Sequence, residues 1–152
     1  DIHLAIGKSS TDKQFKKRTN EIKKIYSGID EKEDKHLTGH SLGASIATHA
    51  MAKSKSIRDN TKSAHAYNTG MTPAFNKELQ KDLKKEDKKE LKSKLMHHHV
   101  KNDPISAALT IGTQVGKVKT TKQTAASPHS LDNHHADKTL KDKDEPEPEP
   151  EE

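Results

Sequence analysis

No cysteine occurs in the 152 residues, so this chain can build neither a disulfide framework nor a thiolate nucleophile. That absence alone does not fix a compartment. Tryptophan is missing too, and there are only two phenylalanines and two tyrosines. So few rings leave little with which to stack bases, and nucleic-acid binding is not expected. No apolar run approaches the ~18 residues of a membrane-spanning helix. No secretory signal pattern is visible. The chain opens on Asp1 inside an apparent strand, without an initiator Met, which reads as a fragment or a processed form.

Large apolar side chains are scarce as well. Leu, Ile, Val and Phe together make up 24 of the 152 residues, a proportion at which disorder is expected if they are dispersed. Here they are clustered, and the net charge of +5 is modest for the length. A single thin-cored domain over residues 1–140 is therefore expected, followed by a tail at 141–152. The tail carries seven acids against two lysines and contains E-P-E-P-E-P. It has no apolar residue to bury, so it is expected to be disordered and dispensable for folding. The remaining body carries +10. Its Lys-rich helix faces are either simply solvated or drawn to anionic surfaces such as phospholipid headgroups.

What is present begins with Gly39-His40-Ser41-Leu42-Gly43. This G-x-S-x-G pentapeptide stands where a short strand passes into a helix, the setting that exposes a serine as a nucleophile. The flanking glycines suggest a turn without room for Cβ atoms on either side. The helix N-terminus that follows favours developing negative charge.

Around it, short apolar runs alternate with amphipathic stretches. Strands are expected at 1–7, 34–38, 63–68, 96–100 and 115–121. A helix is expected at 11–26, with Phe15, Ile22 and Ile25 as its apolar face and Gly28 as its end. A second should cover 42–53, where Gly43, Ala44, Ala47 and Ala50 would let it lie close to a sheet. Residues 75–95 form one helix, or two broken near Lys88, and 131–140 a short polar helix. Alternating strands and helices predict an α/β fold with a mainly parallel sheet.

A serine hydroxyl needs a base, usually imidazole, and that imidazole needs an ionised acid to orient it. In α/β-hydrolases the chain order is Ser, acid, His. Asp103 follows an apolar segment, lies between Asn102 and Pro104, and stands apart from the Lys/Glu-rich background. It is either the acid or an ordinary capping aspartate of a turn. For the base, His129 follows Pro128 in a loop, while His134 and His135 lie on the following helix. His40 would pack beside the nucleophile rather than serve as base.

His97 and His99 would point to one face of a strand and His98 to the other. Without cysteine or a spaced carboxylate, no metal is expected there. The oxyanion hole would use the backbone N–H of Leu42 and a donor near Lys8–Ser10, with the Ser9 or Ser10 hydroxyl as a further candidate. Such chemistry needs no cofactor.

GHSLGASIA, AYNTG, NDPIS and PHSLDN together resemble the class 3 (fungal-type) lipase family, most of all its short, Lys-rich forms in large DNA viruses. The resemblance spans roughly residues 1–136. It implies an α/β-hydrolase fold and hydrolysis of carboxylic esters of lipids. It also implies Ser41 as nucleophile, Asp103 as acid and His129, within H-S-L-x-N, as base. A virion or the host cytoplasm would be the location. Gly7-Lys8-Ser9 stands where the family usually has its oxyanion segment, and no greasy lid is apparent. The alternative is an inactive hydrolase-fold domain with a structural or virion-associated role. An acyltransferase or peptidase would use the same triad.

Overall fold

The computed structural model describes residues 9–110 and 114–134. The strand expected at 1–7, His135, the rest of the last helix and the acidic tail lie outside the described residues. In chain order the elements are α1 (Ser9–Ser27), β1 (His36–His40), α2 (Leu42–Lys53), α3 (Lys55–Asn60), β2 (Ser63–Tyr67), α4 (Pro73–Gln80), α5 (Lys85–Lys94), β3 (Leu95–Val100) and β4 (Lys117–Thr121). Two 3-10 turns, Ala107–Thr110 and Leu131–His134, are the remaining elements among the described residues.

The four strands form one all-parallel sheet in the order β1-β2-β3-β4, flanked by helices. The α/β architecture expected from the alternation of patterns is the one observed. Gly39 pairs with Ala66 and Ala66 with His97, so Leu37, Gly39, Ala64, Ala66, Leu95 and His97 share one face. The buried cluster on that side is built mostly from Ala44, Ala50, Met51, Ala64, Ala66, Leu91 and Leu95. Alanine supplies much of it, which is how a chain short of large aliphatics still closes a core.

The small residues of α2 let it lie almost in contact with β1. An added Cβ on Gly39 would overlap the Gly43 carbonyl of that helix. Helix α1 covers α2 with the face Phe15, Thr19, Ile22 and Tyr26, spaced for one side of a helix. Ile25, expected on that face, is 63% exposed. The positions taken instead by Thr19 and Tyr26 are secured by side-chain hydrogen bonds, to His49 Nδ1 at 3.1 Å and to Thr61 Oγ1 at 2.7 Å.

Other boundaries shift for local reasons. Strand β1 runs to His40 instead of Thr38, because its pairing with β2 continues to Tyr67. Residues 75–95 are two helices, and the break falls at 81–84 rather than near Lys88. Asp82 has a φ of 69° there, and Asp87 Oδ2 accepts the Lys84 N–H at 3.0 Å to start the next helix. Helix α4 starts on Thr72, whose hydroxyl accepts the Phe75 N–H, with Pro73 in its first turn. Strand β4 begins at Lys117, two residues later than expected. Residues 131–134 are a 3-10 turn where a helix was expected.

Helix α3 was not foreseen. It is capped by Ser54, whose hydroxyl accepts the Ile57 N–H at 3.2 Å. Its Arg58 is buried and donates to the Met51 and Ala52 carbonyls and to Asp87. Among the described residues no helix is long and apolar enough to cross a membrane.

Candidate active site

Strand β1 ends at His40 and α2 begins at Leu42, so Ser41 alone makes the turn between them. Its backbone lies at φ 56°, ψ −114°. A residue with a Cβ holds such a conformation only under constraint, at a cost of about 1–3 kcal/mol. The constraint is visible. The Ser41 N–H donates to the Tyr67 carbonyl at 2.9 Å, continuing the β1–β2 ladder past the strand. The Ser41 carbonyl accepts the Ser45 N–H at 3.1 Å, the first bond of α2. The Ser45 hydroxyl donates to the Gly70 carbonyl at 2.8 Å and ties this turn to the loop after β2.

The two glycines of the pentapeptide do different work. Gly39 is required by the approach of α2, as described above. A Cβ on Gly43 would meet nothing within 4 Å, so the expectation that both glycines make room is corrected at Gly43. Gly43 is exposed on the first turn of α2, with open space where a Cβ would stand.

Asp103 sits in the turn after β3. Its N–H donates to the Val100 carbonyl at 3.0 Å, and the preceding Asn102 has a φ of 75°. The residue is 1% exposed and its side chain fully buried. Oδ1 accepts the Ile105 N–H at 3.0 Å, and Oδ2 accepts from the Ser106 hydroxyl and from His129 Nδ1, both at 2.8 Å. His129 Nε2 lies 2.7 Å from Ser41 Oγ. An ionised carboxylate can only accept, so the His129 proton is on Nδ1. Nε2 is then left to accept the serine hydroxyl. The structure thus brings together the three residues singled out in the sequence.

The loop that carries His129 is organised from behind by Asn133, which is fully buried. Its Oδ1 accepts the N–H groups of Thr124 and Ala125, both at 2.7 Å, and its Nδ2 donates to the Ser127 and Ser130 carbonyls at 2.8 and 2.9 Å. His40 adds a clamp from the Ser41 side. Its Nε2–H donates to the His129 carbonyl at 2.9 Å, and the two rings lie 5.1 Å apart. His40 therefore packs beside the Ser41–His129 pair, as its place in the turn suggested.

His134, the alternative base, is engaged with the segment after β2. It is fully buried, pairs with Asn68 Oδ1 at 2.9 Å and meets the Tyr67 ring edge-on at 4.9 Å. His135 lies outside the described residues. Leu42 opens α2 and presents one of the N–H groups that a helix leaves without an intrahelical acceptor. Ser9 is the first residue of α1, and the segment before it lies outside the described residues.

The three consecutive histidines divide between the two sheet faces as strand geometry requires. His97 Nε2–H donates to the Val115 carbonyl at 2.6 Å, and its Nδ1 pairs with Thr69 Oγ1 at 2.9 Å. Burial pushes its pKa down to about 4. His98 stacks on Tyr67 at 4.4 Å and pairs with His65 at 2.9 Å. His99 Nδ1 lies 2.7 Å from Ser106 Oγ, and burial lowers its pKa against the opposing pull of Asp103. No group of three or more His, Asp or Glu side chains among the described residues is arranged to hold a metal ion.

Ser106 and Asn133 do not stand out in the sequence as individual candidates. They lie inside NDPIS and PHSLDN, and both have side chains that tie a loop to its own backbone or acid. No protein-family model, curated protein or solved structure matches this chain.

Proposed function

We propose that this protein is a serine hydrolase of α/β-hydrolase type that cleaves carboxylic esters of lipids through an acyl-Ser41 intermediate. The observation that carries the reading is the unbroken hydrogen-bonded row Ser41–His129–Asp103, ending on a serine held at positive φ. A strained nucleophile turn between strand and helix, an acid after a later strand and a histidine after the last one follow the Ser, acid, His chain order of that class.

The chemistry follows from the geometry. His129 Nε2 takes the hydroxyl proton as Ser41 Oγ bonds to the ester carbonyl carbon. Asp103 stabilises the imidazolium that forms. The carbonyl oxygen, now an oxyanion, is met by the Leu42 N–H and the positive end of α2. A second donor is assigned to the segment around Lys8–Ser10. Collapse of the tetrahedral species breaks the ester C–O bond, and His129 returns the proton to the departing alkoxide. Water then attacks the acyl-serine with His129 again as base, releasing the acid and restoring the hydroxyl.

The resemblance to class 3 lipases supports a lipid ester as substrate, and the basic body supports approach to an anionic lipid surface. A fluorophosphonate probe tests the reading directly. Wild-type protein should be labelled on Ser41, and Ser41→Ala should not be labelled while keeping the wild-type circular dichroism. Folded wild-type protein that takes no label over hours would leave the fold without this activity. A labelled protein that hydrolyses short-chain esters but no acylglycerol or phospholipid would retain the class and remove the lipid.

A further inference from the structure

Asp103 is held by more than its histidine. The Ser106 hydroxyl and the His99 ring continue the row behind it, at 2.8 Å from Oδ2 and 2.7 Å from Ser106 Oγ respectively. Ser106 is fully buried and His99 nearly so. Proton counting fixes the direction of both bonds. The carboxylate has no proton to give, so the single Ser106 proton must point to Oδ2. The Ser106 oxygen then has only lone pairs to offer His99, so His99 must carry its proton on Nδ1. Burial keeps that imidazole neutral.

We propose that Ser106 and His99 are positioning residues for the Asp103 carboxylate. His99 Nδ1–H occupies the Ser106 oxygen and directs its one proton onto Oδ2, fixing the carboxylate edge that His129 uses. A hydroxyl by itself can rotate among acceptors. With His99 in place it has one productive orientation. His99 belongs to β3, paired with Thr120 of β4, whereas Asp103 and Ser106 lie in the following turn. The acid is thereby anchored to the sheet across its loop. Ile105 holds the other oxygen, so rotation of the carboxylate is blocked at both ends.

This inference rests on the hydrolase reading for its effect on rate, but not for its effect on His129. A carboxylate that loses a donor holds the neighbouring imidazolium proton more strongly. Ser106→Ala should therefore raise the pKa of His129, whose ring faces Asp103, Ser41 and His40. Titration of the His129 ring nitrogens by NMR reads this directly, with or without turnover.

In the same variant, phosphonylation of Ser41 should slow roughly tenfold to a hundredfold, the loss of one hydrogen bond to a charged acceptor read as a rate. The acid limb of its pH profile should move upward with the NMR value. His99→Phe fills the ring's place without the N–H and should shift both readouts the same way by less. Ser106→Thr keeps the hydroxyl and should restore them.

Slower labelling with an unmoved His129 titration would mean that Ser106 only supports the fold, and would overturn the proposal. So would wild-type behaviour in Ser106→Ala. If Ser106→Ala does not fold, His99→Phe decides by the same titration. Wild-type protein that takes no label while Ser106→Ala still shifts His129 would separate failure of the hydrolase reading from failure of this one.

Discussion

Lowering the pH should unfold this protein through His97 before its carboxylates titrate. The ring is fully buried against Val115 and Thr69 in its neutral form. Its pKa is about 4 in the folded state against 6.5 unperturbed. A depressed folded value means that the unfolded chain binds the proton first. Stability is therefore complete above the unfolded pKa and is lost as pH falls toward the folded one. From those two pKa values, the loss between pH 7.5 and pH 5 is about 2 kcal/mol from this residue alone.

Against a thin alanine-rich core that is a large fraction of the total. His99, lowered for the same reason, adds in the same direction. Urea unfolding at the two pH values measures the effect, and urea avoids the ionic screening that guanidinium would introduce. His97→Gln cannot titrate. It will be less stable at pH 7.5, but its loss on going to pH 5 should be about 2 kcal/mol smaller than that of wild type. Equal pH dependence in the two proteins would refute the reasoning, as would an NMR titration placing His97 near 6.5.

Asp103→Asn should leave the fold intact and slow turnover roughly 10⁴-fold, as in the serine-protease precedent, by unsettling the His129 tautomer; stopped assays on a soluble short-chain ester would detect it. Gly39→Ala should destabilise by about 3 kcal/mol or more, because its Cβ would overlap the Gly43 carbonyl and stand 2.7 Å from the Ala44 nitrogen. Gly43→Ala should instead be neutral or stabilising by up to about 1 kcal/mol, as for any exposed helical glycine; thermal melts of the pair test whether only one glycine is needed. Asn133→Ala leaves two backbone N–H groups without their acceptor and should cost about 3 kcal/mol in urea unfolding. The same variant should label more slowly on Ser41, since the His129 loop loses its support.

Some of this molecule was legible because local chemistry settles it. Helix α2 begins and ends where the small-residue pattern after the serine turn put it, and Ser41, Asp103 and His129, singled out by chain order and turn chemistry, meet in the structure. Other parts depend on contacts that no window of sequence contains. Ile25 looked like the inner face of α1 by hydrophobicity, yet Thr19 and Tyr26 are inside, since each hydroxyl finds a partner on another element. Helix α3 was hidden because Arg58 reads as a surface residue until Asp87, 29 positions away, meets it. His99 read as one of three strand histidines, and its bond to Ser106 requires the turn after β3 to fold back. His134 and His129 were alternatives by sequence, and the pairing of His134 with Asn68 separates them.

The row that joins Ser41 to His129 spans 88 positions of chain and takes its histidine from the loop beyond β4. On the ribosome, Ser41 emerges long before residue 129 has been made. A nascent chain therefore carries an ordinary alcohol, with neither the imidazole nor its acid anchored beside it. On the proposed hydrolase reading, reactivity at Ser41 waits for the loop that carries His129 to reach it. On that reading, copies that end before residue 129 would lack the base, and a covalent probe of Ser41 would count completed molecules rather than synthesised ones.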